Sequence, residues 1–185
     1  SQVVDDVIIK GVNKAVLKSK TPVRYDQSII NAGQFLTTKG AVEFGKQKGI
    51  VSKIRGFFRN EIAPGQIKPD DAIDIARQLE KEGYSLLGKS TDLTPRPDLE
   101  AIGEAYLGVA DDIWNQLSRN TTSEALFPAI RQEVSKQIAK ISPTLAAKVF
   151  NTNNLLDLRS VAAPYVRISK AVEATLAREH GLLGL

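Results

Sequence analysis

Residues 39–59 read KGAVEFGKQKGIVSKIRGFFR. Wound as a helix at about 100° per residue, this stretch separates its residues into faces. A broad apolar arc carries Val42, Phe44, Ile50, Val51, Ile54, Phe57 and Phe58, and the opposite face carries Gly45, Gly49 and Gly56. Lysines and arginines border the arc on both sides. The pattern predicts one amphipathic helix whose bare glycine face is fenced by cations.

The glycine face needs a physical reason, because each interior glycine destabilises a helix by about 1 kcal/mol relative to alanine. Glycine allows another backbone or a ligand to come close. A phosphate backbone is one candidate for that neighbour. Another helix is the other, since spaced small residues are typical of close helix packing, and Gly103 and Gly108 are candidates for the same use.

The rest of the chain also repeats its apolar residues with helical spacing, and no alternating strand is persuasive. The predicted helices cover about residues 3–20, 26–36, 68–88, 98–119, 123–142 and 154–180, with Pro164 expected to kink or split the last one. Two prolines make residues 90–97 a predicted linker, and Trp114 is predicted to lie in the core. The fold prediction is all-α: a helical bundle, residues 63–185, preceded by a basic N-terminal helical arm, residues 1–62.

The net charge of +4 is unevenly distributed. Residues 1–60 carry 11 Lys and Arg against 4 Asp and Glu, whereas residues 61–120 carry 6 against 12. Residues 121–185 carry 8 against 5. Such separation favours a basic surface for a polyanion, although two solvated faces of opposite charge are the alternative.

Catalytic motifs are weak in this sequence. Residues 40–46 nearly match the phosphate-binding loop G-x-x-x-x-G-K, but Gln47 stands where Ser or Thr would hold Mg²⁺. The chain has no Cys, and its one histidine, His180, is expected to cap a helix. Adjacent carboxylates such as Asp70 and Asp71 point apart on a helix, and this pair is explained by a helix start. We therefore expect no enzymatic activity, no cofactor and no metal site.

The leading hypothesis is a structural nucleic-acid-binding protein that contacts the phosphate backbone without reading sequence. It would act within a helical assembly, as a virion coat or nucleocapsid subunit does. The predicted phosphate-binding residues are Lys10, Lys14, Lys18, Lys20, Arg24, Lys46, Lys48, Lys53, Arg55 and Arg59, with Gly45, Gly49 and Gly56 as close-approach glycines. The predicted partners are nucleic acid and copies of the chain itself or a related subunit.

Two other binding functions remain open. A helical adaptor or scaffold without nucleic acid would pack its glycine face on a partner helix and pair its cations with acids of residues 61–120. A basic amphipathic helix can also bind a membrane surface, but a bare opposite face adds nothing to that binding. We find no secretory signal pattern and no apolar run of about 18 residues, so a virion or intracellular location is expected. The apolar end, residues 181–185, is expected to dock on this molecule or a neighbouring copy.

Overall fold

The computed structural model describes residues 2–165, and their side chains from residue 4 onward. The helices are α1 (Gln2–Val16), α2 (Asp26–Lys39), α3 (Phe44–Arg55), α4 (Pro69–Gly88), α5 (Pro97–Ser123), α6 (Phe127–Ile138) and α7 (Pro143–Phe150), followed by helical residues 155–165, here named α8. The strands β1 (Val23–Arg24) and β2 (Gln66–Ile67) pair antiparallel, with Val23 opposite Ile67. The predicted all-α fold class is confirmed.

Contacts group the chain into two compact units. One unit combines the residues up to Ser19 with those from Ser118 onward, and the other consists of Lys20–Leu117. We refer to them as the terminal unit and the central unit. The division into an arm, residues 1–62, and a bundle, residues 63–185, stays a prediction. In the structure, α1 belongs to the terminal unit, whereas α2 and α3 belong to the central unit.

In the terminal unit, α1 packs closely against α6 at a glycine. A Cβ atom built on Gly11 would lie 2.6 Å from Cγ2 of Val134, so a larger residue on α1 would push this contact apart. The hydroxyl of Ser135 on α6 donates to the carbonyl oxygen of Ala146 on α7 at 3.1 Å. Apolar side chains of these helices and of α8 form the core: Ile8, Val12, Ile130, Val149, Leu155 and Leu158 are all buried.

In the central unit, α4 and α5 meet at two glycines. A Cβ atom built on Gly103 would lie 2.8 Å from the carbonyl oxygen of Gly83. Trp114 is buried, as predicted, and its indole N–H donates to Glu80. The core is completed by the buried side chains of Ile29, Leu36, Ile54, Ile73, Leu79, Tyr106 and Ile113.

The prediction of one helix over residues 39–59 is wrong. α2 ends at Lys39, and Gly40 takes a left-handed conformation with φ of 65° while its N–H donates to the Leu36 carbonyl oxygen at 3.3 Å. This is a common way for a helix to end, and glycine adopts it without the steric strain of a Cβ atom. Glu43 is extended, and α3 then covers Phe44–Arg55, so Phe57, Phe58 and Arg59 lie beyond its end.

Two other predicted boundaries are also corrected. α1 ends at Val16, and Lys18 N–H donates to the Ala15 carbonyl oxygen in a tighter turn, so Lys18 lies outside the helix. The predicted helix from residue 123 to 142 begins only at Phe127. α5 runs on to Ser123, and Ala125 then adopts a φ of 56° while Leu126 N–H donates to the Thr121 carbonyl oxygen at 2.8 Å. A left-handed residue together with a backbone hydrogen bond that spans five residues is typical of a helix C-terminus.

The linker predicted for residues 90–97 is confirmed up to Pro97, where α5 begins. Residues 155–165 are helical and include Pro164. The rest of the predicted last helix, His180 and the apolar end, residues 181–185, lie outside the described residues. None of the helices in residues 2–165 combines the length and the hydropathy of a membrane-crossing segment.

Candidate functional site

Two side chains of α3 are buried, one apolar and one polar. Ile54 is fully buried. The side-chain amide of Gln47 donates to the carbonyl oxygens of Val42 at 3.0 Å and Leu36 at 3.4 Å, and its oxygen accepts from the Thr37 hydroxyl at 3.1 Å. Gln47 therefore joins α3 to the end of α2. In sequence, its only signal is the departure from the phosphate-binding loop at the position where that loop requires Ser or Thr.

The near-match to a phosphate-binding loop, residues 40–46, lacks the required architecture. That loop connects a strand to a helix, whereas here the segment connects α2 to α3. Among the described residues, no group of three or more His, Asp or Glu side chains is placed to hold a metal ion.

The outward face of α3 carries two of the three predicted glycines in open space. Apart from the adjacent residues and the backbone of α3 itself, no atom of the described residues lies within 4 Å of a Cβ built on Gly45 or Gly49. Gly56 differs, because it follows the last helical residue and a Cβ there would lie 3.2 Å from the Lys53 carbonyl oxygen. Within the described chain, the face of α3 carrying Gly45 and Gly49 is thus not covered by another helix.

Four of the predicted cations flank this open face on the same helix. Lys46 and Lys53 lie on one side, and Lys48 and Arg55 lie on the other, as the helical period requires. Three of them pair with acids: Lys46 with Glu43 at 4.0 Å, Lys53 with Glu82 at 3.7 Å and Arg55 with Asp26 at 3.4 Å. Their side chains remain 52–74% exposed, and exposed pairs of this kind contribute about 0–1 kcal/mol, so a polyanion can compete for them.

Three further predicted cations belong to the central unit together with α3. Arg24 lies on β1, where its N–H donates to the side-chain oxygen of Gln116 at 2.9 Å. Arg59 follows α3, and its Nε donates to the Gly56 carbonyl oxygen at 3.4 Å. Both residues are exposed, as is Lys20.

The remaining predicted cations lie in the terminal unit. Lys10 and Lys14 are exposed on α1, and Lys18 follows its last turn. Lys14 pairs with Glu133 of α6 at 3.6 Å. The predicted set of ten cations is therefore divided, with seven in the central unit and three in the terminal unit.

Two grooves border α3. The α2–α3 groove has a volume of about 780 Å³ and is lined by Ile30, Gly33, Gln34, Thr37, Thr38, Phe44, Gln47, Lys48, Val51, Ser52 and Arg55. The α3–α4 groove has a volume of about 610 Å³ and is lined by Lys53, Gly56, Phe57, Arg59, Asn60, Asp71, Asp74, Ile75 and Gln78. The residues that line the α2–α3 groove include two cations and no carboxylate. Those that line the α3–α4 groove include two cations and two carboxylates.

One carboxylate of the α3–α4 groove, that of Asp71, differs from a free surface acid. Burial, followed by the negative charge of Asp70, raises the pKa of the Asp71 carboxyl above its ordinary value. Asp70 and Asp71 both lie in the first turn of α4, as the sequence predicts for a helix start. Their charges make this side of α3 less favourable for a polyanion than the side that carries Lys48 and Arg55.

Phe44 is the residue whose surroundings differ most from the sequence prediction. Its place in the apolar arc predicts a buried ring, but the side chain is 71% exposed at the start of α3. The Nζ of Lys48 lies 5.8 Å from the ring centroid. The apolar pattern alone gave no signal for this exposure, because it depends on where α3 begins.

No protein-family model, no curated protein and no solved structure matches the chain. The function proposed below therefore rests on α3 and the residues around it.

Proposed function

We propose that the protein is a structural nucleic-acid-binding protein that contacts the phosphate backbone through the outward face of α3. The observation that carries the proposal is the open face at Gly45 and Gly49, flanked by Lys46 and Lys53 on one side and by Lys48 and Arg55 on the other. Binding of this kind is independent of sequence, because phosphate contacts position a strand without reading its bases. We propose no catalytic role.

The two glycines and the four cations act together in this proposal. Without side chains at Gly45 and Gly49, a phosphate group can approach the backbone of α3 closely. The cations on both sides then reach the phosphate oxygens, and the counterions released from the nucleic acid drive binding. We propose that this happens within a helical assembly of the chain with copies of itself or a related subunit, as in a virion coat or nucleocapsid.

A helical adaptor or scaffold without nucleic acid is the second candidate. The ion pair between Lys53 and Glu82 supports it, because an adaptor is expected to pair its cations with acids of residues 61–120. Its partner helix would come from outside residues 2–165, since Gly45 and Gly49 face open space within the described chain. The two candidates differ in salt dependence, because apolar helix packing responds little to salt whereas phosphate binding weakens steeply.

A salt titration tests the proposal. Fluorescent duplex and single-stranded oligonucleotides are titrated with the full chain at several salt concentrations, and the same is done with a variant in which Lys46, Lys48, Lys53 and Arg55 are alanine. We expect micromolar or tighter binding at low salt, with a logarithmic slope on duplex of about −0.9 per phosphate contact. The quadruple variant should lose most of the affinity and about 3–4 units of this slope.

The matched control removes the same net charge elsewhere. Lys81, Lys89, Lys136 and Lys140 are exposed, and replacing these four by alanine leaves α3 intact. This control should retain the affinity of the unaltered chain apart from a small general charge effect. Absence of binding at low salt would contradict the proposal and favour the adaptor. Equal losses in both quadruple variants would contradict the role of α3 in binding.

The glycines give a second, independent readout. Gly45→Ala and Gly49→Ala should each raise the free energy of unfolding by about 0.5–1 kcal/mol, because alanine is the better helix former and nothing obstructs its methyl group. The same changes should weaken nucleic-acid binding. An increase in stability with unchanged affinity would show that close approach at these glycines is not used.

A further inference from the structure

We propose that the α2–α3 groove seats an unpaired base stacked on Phe44, so that the ligand of α3 is single-stranded nucleic acid. This inference rests on the proposed function and adds the strand type and the contact for the base. Phosphates on one side of the stacked base contact Lys48 and then Arg55, since both cations follow Phe44 along α3. The duplex is bound only through its backbone.

The first support is the order of residues along α3. Phe44, Lys48, Val51 and Arg55 follow one another at steps of four, three and four, which places them in one row on the helix surface. All four line the α2–α3 groove. An aromatic ring and two cations therefore face the same groove, with an apolar side chain between the cations.

The second support is the exposure of the ring. Phe44 is 71% exposed, and Ile30 on the opposite wall of the groove is also exposed. Exposed aromatic rings beside cations are the usual platform for unpaired bases, since every base has a face that stacks on a ring. The ammonium group of Lys48, 5.8 Å from the ring centroid, is close enough to contact the phosphate of a base stacked there.

The third support is charge. The described residues that line the α2–α3 groove include Lys48 and Arg55 but no carboxylate, although Asp26 pairs with Arg55 at 3.4 Å from outside the lining. In the α3–α4 groove, Asp71 and Asp74 oppose the cations. An apolar groove with a cationic rim is complementary to a base carrying phosphates. A second copy of the chain would have to supply an apolar segment with acidic neighbours to match it equally well.

The test separates the base from the phosphates. Three fluorescent ligands of equal length are titrated with the full chain: an oligothymidylate, an abasic strand with the same phosphates, and a duplex. The protein variants are Phe44→Ala, Phe44→Leu and Phe44→Trp, with Leu93→Ala as the control because Leu93 is 97% exposed in the segment between α4 and α5. Circular dichroism and size-exclusion chromatography of each variant report its folding and its oligomeric state.

We expect the unaltered chain to bind oligothymidylate more tightly than the abasic strand. Phe44→Ala and Phe44→Leu should weaken oligothymidylate binding by about tenfold and leave abasic binding unchanged, while Phe44→Trp retains it. Leu93→Ala should bind every ligand as the unaltered chain does. The contrast between Leu and Trp identifies ring stacking, because both are large and apolar.

Three outcomes would overturn the inference in distinguishable ways. If all three ligands bind with salt dependence and the Phe44 variants bind them as the unaltered chain does, base stacking on Phe44 is refuted and the proposed function still holds. No binding of any ligand by the unaltered chain would remove both. A change of oligomeric state in Phe44→Ala with unchanged oligothymidylate binding would assign the groove to a second copy of the chain.

Discussion

At Phe44 and Gln47, burial and exposure are the reverse of what the polarity of the two side chains suggests. The apolar ring is exposed, whereas the polar amide is buried between α2 and α3. Burial of Gln47 is tolerated because its amide donates to two carbonyl oxygens and its oxygen accepts a hydroxyl, so no hydrogen-bonding group loses its partner. The exposed ring of Phe44 has the ammonium group of Lys48 5.8 Å from its centroid, and we propose that a ligand covers the ring.

Tyr106 gives a prediction at the residue scale that is independent of any ligand. Burial, and next the charge of Glu82, raises the pKa of the Tyr106 hydroxyl from 10.0 to about 12. Below pH 10 the group is neutral in the folded and the unfolded chain. Between pH 10 and pH 12 the unfolded chain releases this proton and the folded chain retains it, so stability decreases as the pH rises. We expect a loss of roughly 2 kcal/mol by pH 12 from this group.

The measurement is the urea midpoint of unfolding from pH 8 to pH 12 for the unaltered chain and for Tyr106→Phe. The difference between the two should be constant up to pH 10 and should then change in favour of Tyr106→Phe. Tyr84→Phe is the control variant, because it removes a tyrosine hydroxyl from a side chain that is 55% exposed. Parallel curves for all three proteins would show that Tyr106 ionises equally easily in both states.

At the scale of elements, two glycines of the same helix differ in how closely another helix packs against them. Gly103 and Gly108 both lie on α5 and are equally good candidates for helix packing in the sequence. Only Gly103 has this role, because its neighbour on α4 is Gly83, whose carbonyl oxygen lies 2.8 Å from a Cβ built on Gly103. Around Gly108, apart from the adjacent residues and the backbone of α5 itself, no atom of the described residues lies within 4 Å of such a Cβ.

Alanine substitutions at these two positions should therefore change stability in opposite directions. Gly103→Ala is expected to lower the free energy of unfolding by about 1–3 kcal/mol, because backbone rather than a flexible side chain obstructs the methyl group. Gly108→Ala should raise it by about 0.5–1 kcal/mol through the higher helix propensity of alanine. Urea titrations of both variants measure the effect, and a stabilised Gly103→Ala protein would refute the close crossing of α4 and α5.

α3 shows how an element acquires an exposed face. Its one fully buried apolar side chain is Ile54, and Gln47 supplies the second anchor, whereas Ile50 and Val51 are only half-buried. The short helix is consequently fixed along one edge and presents glycines and cations over the rest of its surface. A helix with a wider buried face would have fewer positions for phosphate contacts.

At the scale of the whole molecule, the predicted cations lie in both compact units. Lys10, Lys14 and Lys18 belong to the terminal unit, and α3 belongs to the central unit. If both units contact phosphate, as the sequence-based prediction requires, the salt dependence of binding has contributions from each. Counterion release makes these contributions separable by substitution, because each lost contact lowers the slope by about 0.9 on duplex.

We expect the variant with alanine at Lys10, Lys14 and Lys18 to lose about 2.7 units of slope on duplex and part of its affinity. The control replaces Lys136, Lys140 and Lys148, which are exposed in the same unit, and should retain the slope of the unaltered chain. The salt titration described for α3 is the measurement. An unchanged slope in the α1 variant would restrict phosphate binding to the central unit.

Periodicity determined the all-α class, the amphipathic α1, and the starts of α2, α4 and α5 to within about two residues. These features are local: they depend on apolar spacing, on prolines in the first turn and on acids near helix N-termini. The placement of Gly45 and Gly49 opposite the buried edge of α3 also follows from the period alone, because the period still holds when the helix is shorter than predicted.

Tertiary structure decided the remainder. The position of α3 against α2 depends on Gln47, whose amide donates to the Leu36 carbonyl oxygen, and this contact joins residues from two helices. The same applies to Gly103, whose packing partner is on another helix, and to the division of the cations between two units. A local pattern reports which residues share a face, but the neighbour that covers or exposes that face comes from a distant part of the chain.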